Sequence, residues 1–358
     1  MKKIPIVIIL PSLAGGGAER VVINLVENLD RNYFNISLIL INNVGPLSPN
    51  ISNSEITNLN INKFRNSIPS LLKQISLIKP KVILSTFPHI TLSLLFLKPF
   101  FFKNTIFVSR EPNMVSPSLD NTPFSKVLKV MHKYLLPKAD RVIVTSNAMK
   151  KDLIIRGVCK SKLVLIYNPI DSLKLRNIKN IIRYPGRGLR LISVGRLVKQ
   201  KGYDRLIPLL KDIKNIHLTI LGTGPELNNL INLTKSHHIE DQVSFLGYIK
   251  NPNSYIVGSD YFILPSRWEG LPNSALESLV LGTPVISFLE IVALKDMIPM
   301  VPKGNLFLCF NEFYMKKLLN NLKVRKNLKK LKINNELLIK YNNPKEYAKI
   351  FLDMIKGI

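Results

Sequence analysis

The chain has 358 residues, with 51 lysines and arginines against 23 aspartates and glutamates, a formal net charge of +28. At roughly 100–200 residues per domain, this length predicts two domains, each large enough to bury its own core. A composition of 46% hydrophobic and 21% charged residues excludes a disordered basic tail and leaves nucleic acid, an anionic membrane surface or phosphorylated ligands as partners for the charge.

In chain order, Ile4–Leu10 reads as a strand, Ala18–Leu29 as a helix and Ile36–Ile41 as a strand. A helix over Ser67–Ile78 follows, then strands at Val82–Ser85 and Thr105–Ser109, a helix over Phe124–Leu135 and a closing strand at Arg141–Thr145. Near-continuous Val/Ile runs separated by helices predict a parallel sheet buried on both faces. The weakly patterned stretch Asn168 to Gly188, with Pro169, Pro185 and Gly186, reads as a linker. The rhythm then restarts, with strands at Leu189–Val194, Ile216–Leu221, Val243–Phe245, Tyr261–Leu264, Pro284–Ser287 and Asn305–Cys309. Helices fall between them at Tyr203–Ile213, Glu226–Ser236 and Pro272–Leu281. The pattern is two doubly wound, Rossmann-like α/β domains facing across a cleft, with sites beyond the carboxyl ends of the strands. The expected domains are 1–175, 176–340 and a C-terminal helix over 341–358 that can pack back on the first domain.

Several chemistries are excluded early. Cys159 and Cys309 form no CxxC pair, and the five histidines show no metal-ligand spacing. Met1-Lys2-Lys3 followed by Ile4–Leu10 imitates a signal peptide, but Pro11 and Gly15-Gly16-Gly17 read as strand, turn and helix. The apolar stretch Val82–Leu97 is shorter than the ~20 residues of a spanning helix. The expectation is a cytoplasmic protein with no transmembrane segment.

Three strand-to-helix junctions carry candidate chemistry. Gly15-Gly16-Gly17 opens the first helix, where glycines allow close backbone approach and the free N–H groups favour an anion. The spacing is not GxGxxG, which rejects a dinucleotide fingerprint, and a plain tight turn explains it equally well. Second, Arg196 and Lys201 lie five apart on a loop bounded by Gly195 and Gly202. Two cations there suit a diphosphate, Arg by a bidentate fork and Lys as a point charge; a solvated basic loop is the plainer alternative. Third, Glu269 in a loop and Glu277 eight residues on, with Pro272 at a helix start between them, place two carboxylates where sugar or ribose hydroxyls could bind. Glu277 is read as lying about two turns beyond that loop, in an otherwise apolar segment.

Taken in this order, Gly15-Gly16-Gly17-Ala18-Glu19-Arg20, the stretch Ser193–Ile207, Leu221–Glu226, Phe245–Pro252, Asn168-Pro169 and the Glu-x7-Glu segment Glu269–Glu277 resemble the retaining glycosyltransferases of family 4, which have the GT-B fold. The resemblance covers most of the chain and extends to bacterial O-antigen and capsule enzymes. It implies that Arg196 and Lys201 hold a donor diphosphate, that Glu277 binds the ribose hydroxyls, and that Glu269 contacts the transferred sugar. Glu269, Arg196 and Lys201 would be the catalytic set. The backbone at Gly247-Tyr248 would meet the base, with Gly270 and Leu271 also lining the donor, and Gly16 and Gly17 would approach the reacting centre. His89, Arg110 and Glu111 are the acceptor-side candidates. No Asp-x-Asp motif occurs, so no metal and no cofactor is expected; a nucleotide sugar, UDP-linked, serves as co-substrate. The sequence departs from the family at Phe288-Leu289-Glu290-Ile291, a shortened loop in place of a glycine-rich one, and at Ser109-Arg110-Glu111-Pro112, where many members carry a histidine.

The implied reaction moves a hexose or N-acetylhexosamine onto an undecaprenyl-diphosphate-linked glycan. From Ile56 to Arg110 the sequence holds eight lysines and arginines and no acid, together with Leu92–Leu97 and Phe100-Phe101-Phe102. Exposed basic and apolar residues so interleaved suit peripheral docking on the inner face of the plasma membrane; core phenylalanines beside solvated lysines are the equal alternative. Nucleic acid is disfavoured because no stacking platform or recognition helix is legible. A nucleotide-sugar epimerase or a phosphorylase of the same fold stays open.

Overall fold

The computed structural model describes residues 3–121, 125–170, 175, 178, 180–183, 188–325, 337 and 344–358. The chain divides into two compact units. The first ends at Pro169 and regains the C-terminal helix Pro344–Lys356; the second lies between. The predicted linker is largely outside the described residues, Pro185 and Gly186 included, but Asn168 is buried within the first unit.

The first unit is built on seven parallel strands: β1 (Ile4–Leu10), β2 (Phe34–Leu40), β3 (Ile56–Asn58), β4 (Val82–Ser85), β5 (Ile106–Arg110), β6 (Arg141–Val144) and β7 (Leu163–Leu165). Their order is β3-β2-β1-β4-β5-β6-β7, in register at Ile6↔Ile36 and Ile6↔Val82. Successive side chains point to opposite faces, so Ile6, Ile8 and Leu10 enter one core and Val7 and Ile9 the other. That double burial is why β1 reads as an unbroken apolar run. The first core is covered by α1 (Gly17–Asn28) and by the C-terminal helix, whose Tyr347, Phe351 and Ile355 join Val21, Leu25 and Phe34. The second is covered by α2 (Phe64–Ile78), α3 (Pro88–Phe101), α4 (Val115–Asp120), α5 (Ser125–Leu135) and α6 (Asn147–Ile155).

Three features of this unit correct the sequence reading. The sheet closes at β7, not at Arg141–Thr145: β3 and β7 have three residues each, too few to show a period. Residues 88–101 form a helix, concealed because its apolar residues surround the axis and leave no polar face. Within it Leu92, Leu94 and Leu95 are core residues, as is Phe102 just beyond, whereas Phe96, Phe100 and Phe101 are exposed. The basic and apolar stretch is therefore part core and part surface.

The second unit repeats the plan with β8 (Leu189–Val194), β9 (Ile216–Leu221), β10 (Val243–Phe245), β11 (Tyr261–Leu264), β12 (Val285–Phe288) and β13 (Leu306–Cys309), in the order β10-β9-β8-β11-β12-β13. Leu191, Leu218, Ile220, Ile263 and Ile286 centre its core. The helix expected over Tyr203–Ile213 is α-helical only to Leu206 and continues as a 3₁₀ turn through Leu210, because Pro208 offers no N–H. The buried carboxylate of Asp260 accepts the backbone N–H groups of Arg190 (2.8 Å) and Arg325 (2.9 Å), tying the start of β8 to the chain beyond β13. Among the described residues no helix is long and apolar enough to cross a membrane.

Candidate active site

Each sheet reverses its strand order once, between β1 and β4 in the first unit and between β8 and β11 in the second. Loops leaving the carboxyl ends of those neighbouring strands diverge and open a crevice, the usual ligand position of a doubly wound sheet. The three sequence-predicted junctions all leave these strands: Gly15-Gly16-Gly17 after β1, Gly195–Gly202 after β8 and Pro265–Pro272 after β11.

In the second unit the β8 and β11 loops are bonded to one another. Lys201 Nζ donates to Glu269 Oε1 at 2.6 Å, and Ser266 Oγ donates to the same oxygen at 2.6 Å. The two residues implied to hold diphosphate and sugar thus form a largely buried ion pair with one another, which sequence spacing could not show. Arg267 N–H donates to the Gln200 carbonyl, Gln200 Nε2 donates to the Trp268 carbonyl, and Arg205 Nε to the Pro265 carbonyl, at 2.8–2.9 Å. Arg267 grips Asp204 with both guanidinium arms at 2.7 and 2.9 Å; this bond raises the Arg267 pKa and helps to lower that of Asp204 against the opposing effect of burial. Arg196, by contrast, stands exposed and makes no side-chain bond among the described residues. One cation is locked and the other is free to meet an anion.

Glycines let these loops close up. A β-carbon on Gly222 would sit 1.9 Å from the Gly195 carbonyl oxygen, and its φ of +146° lies in the region that favours glycine. Gly202, at φ +67°, would likewise bring a β-carbon 2.1 Å from the Pro265 carbonyl oxygen. The Gly247 carbonyl accepts the Gly222 N–H at 2.7 Å, and a β-carbon at Gly247 would meet only open space, with Tyr248 exposed beside it. Beneath the β8 loop Tyr203 is buried, and burial drives its pKa upward, so its hydroxyl stays protonated as it receives the Ser193 hydrogen bond.

Pro272 caps the helix Asn273–Val280, and Ser274 Oγ ties that helix to the Val194 carbonyl at 3.1 Å. Glu277 is half-buried, four residues past Asn273 and so little more than one turn into the helix, nearer its start than the expected two turns. Gly270 and Leu271 are buried beside Glu269. The shortened loop after β12 is held from within: the Glu290 carboxylate bonds Arg205, whose guanidinium stacks 3.9 Å over the Phe288 ring. Neither the role of Glu290 nor that of Ser266 was legible in the sequence.

In the first unit Gly16 caps α1 and Gly17 opens it, after Gly15 at φ +86°. The Glu19 carboxylate folds back against Gly16, where a β-carbon would lie 2.4 Å from its Oε2. The helix start that the sequence offers to an external anion is already compensated by this side chain. After β4, His89 sits in the first turn of α3, edge-on to Phe64 (5.3 Å between ring centroids). Desolvation lowers its pKa, favouring the neutral ring. Arg110 and Glu111, at the end of β5, are buried. Arg110 Nη2 donates to Asn168 Oδ1 at 2.6 Å, while its Nε and Nη1 have no hydrogen-bond partner among the described residues. Burial raises the Glu111 pKa to about 7, against the opposing pull of a Ser109 hydrogen bond and the Arg110 charge.

Two parallel sheets of this order, each with one switch point, follow the plan of the GT-B fold. The model of the glycosyltransferase family 4 domain matches residues 15–172, and that of glycosyl transferases group 1 matches 176–335. A Campylobacter jejuni protein named N-acetylgalactosamine-N,N'-diacetylbacillosaminyl-diphospho-undecaprenol 4-alpha-N-acetylgalactosaminyltransferase is 31% identical over 296 residues, covering 78% of this chain and 79% of that protein. The chain belongs to the family 4 glycosyltransferases. An O-antigen biosynthesis glycosyltransferase of Escherichia coli, WclY, is 36% identical over 128 residues, 34% of this chain and 36% of that one. An uncharacterized glycosyltransferase of Methanocaldococcus jannaschii is 34% identical over 51% of this chain, and the match spans 48%, about half, of that relative. In fold, the chain is similar to sucrose-phosphate synthase from Thermosynechococcus elongatus (TM-score 0.76, 17% identity, 99% of each chain). It is also similar to HepE from Anabaena in complex with UDP and glucose (TM-score 0.74, 15% identity, 99% and 100%).

Proposed function

We propose that the protein is a retaining glycosyltransferase that moves a hexose or N-acetylhexosamine from a UDP-sugar to an undecaprenyl-diphosphate-linked glycan in bacterial surface-polysaccharide synthesis. The observation that carries this reading is the β8–β11 junction, where an exposed Arg196 stands beside a Lys201–Glu269 pair at the switch point of the sheet. A diphosphate bound by Arg196 would draw Lys201 from Glu269 and leave that carboxylate to accept sugar hydroxyls. As the anomeric C–O bond breaks, the electron pair leaves with the diphosphate, and the two cations stabilise the charge without a metal. Glu277 takes the ribose hydroxyls, and the backbone at Gly247-Tyr248 the base. On the first unit His89, Arg110 and Glu111 are the acceptor-side residues. The acceptor class follows the name of the Campylobacter relative, and the surface-polysaccharide role that of the E. coli one; the protein would work at the inner face of the plasma membrane, on an anionic surface. A melting-temperature screen of nucleotide sugars tests the donor reading, since a ligand at 100 times its Kd adds about 2.7 kcal/mol of stability. Inertness of every UDP- and GDP-sugar, and of UDP and GDP, would sink it.

A further inference from the structure

We infer that the neighbouring outward faces of α3 and α5 form the surface by which the protein docks on an anionic bilayer. This deepens the membrane part of the reading above and rests on it for where the enzyme works. Helix α5 carries two apolar stripes. Leu128, Met131 and Leu135 turn inward and pack on the second core of the unit. Val127, Val130 and Tyr134, spaced three and four residues apart, lie on another face and are 57%, 56% and 63% exposed. Helix α3, packed beside α5, adds Phe96, Phe100 and Phe101 at 59%, 76% and 60%. Six large apolar side chains exposed on two adjoining helices exceed the scattered singles of an ordinary surface.

The charges around them select the occupant. Neither α3 nor α5 contains an acid. Lys126 and Lys133 are exposed on α5, Lys133 near the Tyr134 ring, and Lys103 is exposed just beyond α3. The acids on flanking segments are already paired: Asp120 with Lys129, and Asp140 with Lys98. His132, on the inner side of α5, is held neutral by burial, its pKa lowered to about 4. Apolar side chains rimmed by lysines without an acidic partner among the described residues match a bilayer interface, where rings and valines enter the acyl boundary and ammonium groups reach the lipid phosphates. Of the acid-free stretch before Arg110, this face includes the end of α3 and Lys103, and its other exposed lysines, Lys126 and Lys133, come from α5.

The test is co-sedimentation of the full chain with vesicles of phosphatidylcholine alone or mixed with phosphatidylglycerol, at low and high salt. Wild type is expected on the mixed vesicles only and to be released by salt. Lys126→Gln with Lys133→Gln should weaken binding roughly 25-fold, about fivefold per lysine. Phe100→Ser with Val130→Ser should weaken it more than about tenfold, with melting temperatures and UDP response unchanged. A wild type that ignores mixed vesicles overturns the membrane reading itself. Wild-type binding that both variants retain overturns only the assignment to this face. A solution dimer abolished by Val130→Ser would show that a second copy covers the face, and would also overturn the assignment.

Discussion

Substitution of Lys201 separates two roles that the sequence presents as one. Lys201 and Glu269 have side chains only 17% and 8% exposed and share a 2.6 Å charge-assisted bond. Removing one partner of a buried pair costs about 3–5 kcal/mol, because the other charge is left uncompensated. Here Ser266 still donates to Glu269 and some solvent reaches the site, so Lys201→Met is expected to cost about 2–3 kcal/mol. In a unit of this size that lowers its melting temperature by roughly 4–10 °C. Adding Glu269→Gln removes the orphaned charge and should restore most of that loss while leaving transfer abolished. Calorimetry of wild type, both single variants and the double variant gives the coupling energy directly. Additive losses, with no recovery in the double variant, would refute a coupled pair. Recovery of activity along with stability would refute a direct role for either residue.

Glu111 supplies a second prediction. Its pKa is raised to about 7 in the fold, so the native state favours the protonated form. The stability it contributes is complete below pH ~4.5 and is lost as pH rises through 7, by about 3 kcal/mol. Glu111→Gln should therefore stabilise the protein at pH 8 relative to wild type and not at pH 4.5, measured by urea unfolding; equal effects at both would contradict the buried-acid account. Gly222→Ala should act on the donor site from beneath: its β-carbon would strike the Gly195 carbonyl, one residue before Arg196. Strain of about 1–3 kcal/mol is expected, with UDP affinity, read by calorimetric titration, falling further than stability; unchanged affinity would contradict the placement of that loop.

Much of the fold was legible because buried parallel strands announce themselves as Val/Ile runs. The bounds of β8, β9, β10 and β11 are those read from sequence. What escaped was short or aperiodic: β3 and β7 lack the length to show alternation, and α3 is apolar on every side. The candidate site was legible as residue types at strand ends, where Arg196, Lys201, Glu269 and Glu277 stand out. Pairing within it was not, since the Lys201–Glu269 and Arg205–Glu290 contacts join residues 68 and 85 positions apart in the chain. Glu19 was quoted in a motif, but only the backbone of α1 shows that its carboxylate answers its own helix start.

Retaining transfer from a nucleotide sugar to a lipid-linked acceptor is tested most directly by incubation with an α-linked UDP-sugar and an undecaprenyl-diphosphate-linked glycan, followed by mass spectrometry and NMR of the product. The expected product is an acceptor heavier by one sugar, joined through an α linkage, formed by wild type and lost in Glu277→Ala. A β-linked product, or UDP release with the acceptor unchanged across the donors that bind, would contradict it.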